Sequence, residues 1–285
     1  MNKEQYHDLL ETIEFRDTTT DKDKSYAQDL LKAFGLFEIQ SFYKYSKYHE
    51  SYTRDIIERN VFHLSPLENL NDPAEHAFGS MTVVGDSDHK IPIDEYGNLT
   101  EKRFYKYLND KKYYQASKLL KENTLICSLT TEENSRLMWA HYADNHNGIC
   151  IEYDALDILV HTAAKLAPIL YNNEAPDVDV SDQISFLKSM RKVSFTKQSS
   201  WSYEEEWRVS KVVLDKDYSN LTDSEKQNIQ NDKDYTFKPK SVTVGYKMSQ
   251  ETKDEIYNLC QMNDIPMFCV ESVQGYDLNR VPYKQ

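Results

Sequence analysis

The chain has 285 residues, 39% of them hydrophobic, and a formal net charge of -13. That is enough apolar material for a folded core, and the sign of the charge disfavours non-specific capture by nucleic acid or an anionic membrane. No apolar run approaches the roughly 20 residues that span a bilayer, and with 7 Gly and 8 Pro there is no low-complexity segment. The four cysteines, Cys127, Cys150, Cys260 and Cys269, form no Cys-x-x-Cys pair and no secretory signal precedes them, which reads as free thiols in a cytoplasmic protein.

Taken in chain order, Tyr6, Leu9, Leu10 and Ile13 recur at helical spacing, and the pattern breaks at Thr18-Thr19-Thr20-Asp21. A second amphipathic helix over 26–34 ends at Gly35, the residue type that most easily takes a left-handed cap. These two helices are expected to form an appendage over 1–39, ahead of a single domain over 40–285. Phe42-Tyr43-Lys44-Tyr45 reads as a strand, 52–59 as a helix closed by Asn60, and Val61-Phe62-His63-Leu64 as a second strand. Ser65-Pro66-Leu67-Glu68 has a capping serine, a proline at the first helical position and an acid at the third, so a turn of helix is expected there. In Asn71-Asp72-Pro73, side chains that satisfy the backbone favour a turn, which either is turn chemistry alone or forms one wall of a pocket.

Residues 79–123 read as an insertion. Its helix over 101–121 interleaves Lys102, Arg103, Lys106, Lys111, Lys112, Lys118 and Lys121 with Tyr105, Tyr107, Tyr113 and Tyr114. This is a solvated face, or else the place where a protein or nucleic-acid acceptor docks. A buried strand follows over 124–129, and then Thr130 and Glu133 form a capping box for a helix running through Trp139, His141, Tyr142 and His146 to Gly148. His141 and His146 are five apart, not the four that lets two imidazoles share one metal on a helix, and no metal site is expected. Strands are also expected at 149–153, 169–171, 242–245 and 267–270, and helices at 156–165, 184–192 and 249–261.

The most informative stretch is Trp201-Ser202-Tyr203-Glu204-Glu205-Glu206-Trp207-Arg208-Val209-Ser210. Read as a strand, its alternation puts Glu204, Glu206, Arg208 and Ser210 on one face and Tyr203, Glu205, Trp207 and Val209 on the other. A solvated edge strand carries such charges for solubility. Flanked by two tryptophans, the strand reads as half-buried, and like charges held side by side near a core raise at least one pKa, as catalytic sites do.

Four ordered blocks carry a resemblance. They are Phe42 to Tyr45; Leu64-Ser65-Pro66 with 70–75; 137–143 with His146-Asn147-Gly148; and Trp201 to Arg208. Together they resemble a bacterial domain-of-unknown-function family, number 2971, a name that implies no activity. A strand with a polar anchor, a helix, a second strand ending in serine and a late strand with Glu-x-Glu is also similar to the layout of ADP-ribosyltransferases, which split NAD between ribose and nicotinamide. That resemblance implies an α+β fold with a mixed, largely antiparallel sheet of split type, flanked by helices. By position, Glu206 would steady the cationic sugar while Glu204 orients the nucleophile, with His141 as a further catalytic candidate. Tyr43, Lys44, Tyr45, Ser65, Asn71, Asp72, Trp139, Tyr142 and Arg208 would surround the nucleotide. Lys44 stands where that superfamily has histidine or arginine, and would meet a diphosphate as a point charge; Arg208 would neutralise the acids or hold a phosphate.

The expected function is therefore an NAD-consuming enzyme, a transferase or glycohydrolase, with NAD as substrate; analogy suggests a toxin or phage-defence effector. The alternatives are a non-catalytic binding module, in which the tryptophans are core and the acids form a salt-bridge lattice, and a metal-dependent hydrolase holding its ion on Asp72, Glu75, Glu204 and Glu206 with His141 as base.

Overall fold

The computed structural model describes residues 1–14, 23–66, 70, 81–82, 124–162, 166–179, 183–212, 235–272 and 278–284. The helices are α1 (Lys3–Glu14), α2 (Asp23–Gly35), α3 (Glu50–Arg59), α4 (Arg136–His141), α5 (Ala155–His161), α6 (Gln183–Ser194) and α7 (Gln250–Met262). The strands are β1 (Ser41–Ser46), β2 (Val61–Phe62), β3 (Ser65–Pro66), β4 (Met81–Thr82), β5 (Thr124–Thr130), β6 (Ile149–Asp154), β7 (Leu166–Pro168), β8 (Leu170–Asn172), β9 (Val178–Asp179), β10 (Thr196–Gln198), β11 (Glu206–Val212), β12 (Tyr235–Thr236), β13 (Ser241–Val244), β14 (Met267–Ser272) and β15 (Leu278–Pro282). The class is α+β, as the sequence implies. The main sheet has the order β15-β14-β13-β6-β1-β5-β11-β7, with β3 also on β5, and its only parallel pair among the described residues is β13 with β14.

One feature of the register shapes everything near the middle of this sheet. β1 pairs with β6 along its whole length, from Ser41↔Asp154 to Ser46↔Ile149, and β5 pairs with β11 from Glu206↔Thr130 to Val212↔Thr124. Between β1 and β5, however, the register is the single pair Tyr43↔Thr130. Further along β5 the same side is taken by β3, through Ser65↔Ile126 and Pro66↔Leu125. The stretch Cys127-Ser128-Leu129 lies between these two contacts, so the sheet is split there.

Side-chain alternation gives the sheet two unlike faces. Phe42, Cys127, Trp207 and Val209 join the large core with Ile56, Ile57, Ile158, Leu159, Ile256 and Leu259 from α3, α5 and α7. Tyr6 and Leu10 of α1 and Leu30 and Phe34 of α2 belong to that same core; Tyr6, Phe34, Phe37 and Phe42 surround Trp207 with ring centroids 5.2–5.8 Å away. Tyr45 and Cys150 face the other way, into a smaller cluster with Met138, Trp139, Ala143 and Val270.

Three expectations are corrected. Ser65-Pro66 is a strand pair on β5 and not a helix start, because a proline tolerated at an edge can still accept through its carbonyl. The cap of α4 is Ser135, whose side chain accepts from the Met138 amide; Thr130 ends β5 and its hydroxyl accepts from the Glu132 amide. The helix also stops at His141, after which Asp144, Asn145 and His146 take positive φ of 48°, 51° and 71°. At this corner Gly148 packs against the Ser46 carbonyl, where an added Cβ would sit 2.2 Å from that oxygen. The insertion helix over 101–121 lies outside the described residues.

Candidate functional site

The site is built where the split opens. A cavity of about 180 Å³ is lined by Tyr43, Lys44 and Tyr45 of β1, Ser65 of β3, Cys127, Ser128 and Leu129 of β5, Met138 and Tyr142 at α4, and Lys197, Glu204 and Glu206. Side chains from both faces of the sheet reach it, Lys44 from the side of Phe42 and Glu206 from the side opposite Trp207. Among the residues expected at the site, Tyr43, Lys44, Tyr45, Ser65, Tyr142, Glu204 and Glu206 are thereby gathered around one opening.

The acids reach it by a route that alternation does not describe. The strand begins only at Glu206; Ser199–Glu204 is a 3-10 helix, and Glu205 follows in the left-handed region at φ 41°, ψ 48°. The reading of 201–210 as one strand is corrected accordingly. A left-handed non-glycine residue costs about 1–2 kcal/mol, and here it turns Glu204 inward while Glu205 points out to Lys3, 3.2 Å away.

What holds the turned acid is Lys197 on β10, a residue the sequence reading passed over. Its ammonium donates to Glu204 Oε2 at 2.7 Å and to Glu206 Oε2 at 3.2 Å, with the Trp201 ring beneath it at 4.9 Å. Arg208 closes the other side: Nε donates to Glu206 Oε1 at 2.6 Å, Nη2 to Oε2 at 3.2 Å, and Nη1 to the Ser194 carbonyl at 2.7 Å. All four are buried, at 7% exposure for Lys197, 2% for Glu204, 3% for Glu206 and 1% for Arg208. The signal that points to Lys197 is charge arithmetic: two acids on a buried strand with one arginine are a cation short, and Lys197 is the nearest lysine in sequence on the N-terminal side.

The two acids are not equivalent. Burial works against ionisation of Glu206, but the Arg208 guanidinium and the Lys197 ammonium outweigh it and hold the carboxyl down to about 2. Burial raises Glu204 above the usual carboxylate range, and Lys197 only partly opposes it. Glu204 also accepts a hydrogen bond from the Tyr142 hydroxyl, whose own ionisation is pushed up by burial and by that acid. Glu206 is a fixed anion, and Glu204 is the acid positioned to exchange a proton.

Lys44 is the remaining charge in the cavity. Its ammonium lies 3.0 Å from the Cys127 sulfur and 3.5 Å from the His63 carbonyl, with the rings of Tyr52 and Phe62 each 6.0 Å away, and no described carboxylate pairs with it. Burial works against the charge, but the Cys127 sulfur together with Tyr52 and Tyr153 outweighs it and the pKa is raised. Glu204 and Glu206 are balanced by Lys197 and Arg208, which leaves Lys44 facing the Cys127 sulfur and no described carboxylate.

The other expected residues are placed elsewhere. His141 is exposed and its Nδ1 shares a hydrogen bond with the Tyr203 hydroxyl at 2.9 Å, away from the cavity lining. Trp139 is fully buried, edge-on to Tyr45 at 5.3 Å, and Arg208 lies behind Glu206. Asn71, Asp72 and Glu75 lie outside the described residues. No group of three or more His, Cys, Asp or Glu able to hold a metal occurs among the described residues, and no described helix is long and apolar enough to cross a membrane.

A family model described as a protein of unknown function, DUF2971, matches residues 138–209. The match spans about a quarter of the chain, from Met138 through Tyr142, Lys197, Glu204, Glu206 and Arg208 to Val209. Neither a curated protein nor a solved structure matches the chain.

Proposed function

We propose that this chain, similar to the DUF2971 family over the half of the cavity that carries the acids, consumes NAD or a related dinucleotide by breaking the bond between ribose and base. The observation that carries the proposal is the split: β1 with its ammonium and β11 with its acids part around one cavity. Lys44, a cation that no described carboxylate pairs with, suits a diphosphate oxygen. Glu206, ionised at any physiological pH, suits the cationic sugar formed as the base leaves.

In the proposed reaction the C1′–N bond breaks and its electron pair leaves with nicotinamide, which departs neutral. Water or an acceptor hydroxyl adds its oxygen to C1′, and the proton it sheds passes to Glu204. Tyr142, hydrogen-bonded to that carboxyl, keeps its orientation. A toxin or defence role rests on analogy alone.

The test is release of free nicotinamide from NAD by the whole protein, and its loss in Glu204→Gln, a substitution that keeps the shape of the site. Undiminished turnover in that variant removes Glu204 from the chemistry. A second reading, capture of a nucleotide without turnover, is favoured by the neutralisation of Glu206 by two cations. It is the result indicated if ADP-ribose raises Tm, as mass action requires of a ligand bound to the folded state, while no nicotinamide appears.

A further inference from the structure

We propose that Cys127 is a peroxide-reactive thiol, held as the thiolate by the Lys44 ammonium across the split in the sheet. The sulfur and the ammonium come from strands that separate after Tyr43↔Thr130, yet lie 3.0 Å apart. An ammonium at that distance favours the charged sulfur against the burial that disfavours it, and the thiolate is the nucleophilic form.

The surroundings support the pair. Tyr52 from α3, Tyr153 from β6 and the His63 carbonyl face it, and the carboxylates of Glu204 and Glu206 lie in the same cavity, already engaged by Lys197 and Arg208. Cys127 lines the cavity but is only 2% exposed, so a small oxidant reaches the sulfur where a bulky maleimide does not. The other cysteines contrast with it: burial raises Cys260 to about 12 and raises Cys150 and Cys269 as well, outweighing the Arg280 charge near Cys150 and the Lys253 charge near Cys269.

In the step itself, a sulfur lone pair attacks one oxygen of hydrogen peroxide and the O–O bond breaks. Hydroxide leaves and takes up a proton as water; sulfur is oxidised by two electrons to the sulfenic acid, and peroxide is reduced by the same two. The new oxygen lies beside Lys44, in the space assigned above to an anionic ligand.

The experiment treats the whole protein with hydrogen peroxide, with no nucleotide present, unfolds it into dimedone at set times so that the trap reaches buried sulfurs, and follows each cysteine by peptide mass spectrometry. Its result is therefore independent of nicotinamide release. Cys127 is expected to react at least about tenfold faster than the other three, with a rate that levels off below about pH 8. Lys44→Met should slow it about tenfold and Lys44→Arg should preserve it. Equal rates at all four cysteines, a rate still climbing beyond about pH 9, or no response to Lys44→Met would overturn the proposal; should Lys44→Met fail to fold, the pH profile of the unaltered protein decides.

Discussion

Lys197, itself buried, shares one ammonium between two buried carboxylates. Removing one member of such a set leaves buried charge uncompensated, so Lys197→Met is expected to cost on the order of 3–5 kcal/mol, measured by urea unfolding. The two acids differ in sign. Glu206 titrates at about 2 in the folded protein against an ordinary 4.5, so it adds stability, on the order of 3 kcal/mol, that is complete above the ordinary carboxylate range and drains away as pH falls from about 4.5 towards 2. Glu204 has a raised value; its ionisation opposes folding at neutral pH, and acidification relieves the opposition. Glu206→Gln is therefore expected to destabilise the protein and flatten the acid limb of its stability curve, whereas Glu204→Gln should stay within about 1 kcal/mol of the parent at pH 7. If the two substitutions cost the same at neutral pH, the assignment of unlike roles fails.

Among the elements, the corner from Tyr142 to Gly148 positions α4 against β1. A methyl at Gly148 meets the Ser46 carbonyl and the backbone of Ala143, neither of which is a flexible side chain, so Gly148→Ala is expected to cost about 1–3 kcal/mol and lower Tm. Ser135→Ala, which removes the cap of α4, should cost about 1 kcal/mol. This region also shows what a sequence discloses. Apolar periodicity located β1, β5, β6, α3 and α7 because burial imposes that periodicity. It also paired Glu204 with Glu206, though through alternation, while the molecule achieves the pairing with a 3-10 turn and a left-handed Glu205. Local pattern could not show where α4 ends, since that is decided by contacts between Gly148 and β1, residues about a hundred positions apart. Nor could it single out Lys197, whose role depends on β10 pairing with β8 so that its ammonium reaches Glu206 at the start of β11, or Cys127, which by composition is an ordinary core thiol.

At the scale of the molecule, α1 and α2 cover Trp207, whose neighbours on β11 are the site's Glu206 and Arg208. Deleting residues 1–39 would uncover that ring and the aromatic cluster around it, and the remaining chain is expected to lose cooperative unfolding; a fragment with the parent's melting curve would show that the covering is dispensable. The parting of β1 from β5 has a cost of its own. A sheet that opens in its interior acquires two extra margins of unpaired backbone, and such margins recruit strands from other molecules. Here β3 plugs part of one margin, and the Lys44 ammonium sits in the gap as a charged gatekeeper. Neutralising it leaves an adhesive seam, so concentrated Lys44→Met should self-associate, seen as light scattering that grows with protein concentration, while Lys44→Arg stays dispersed.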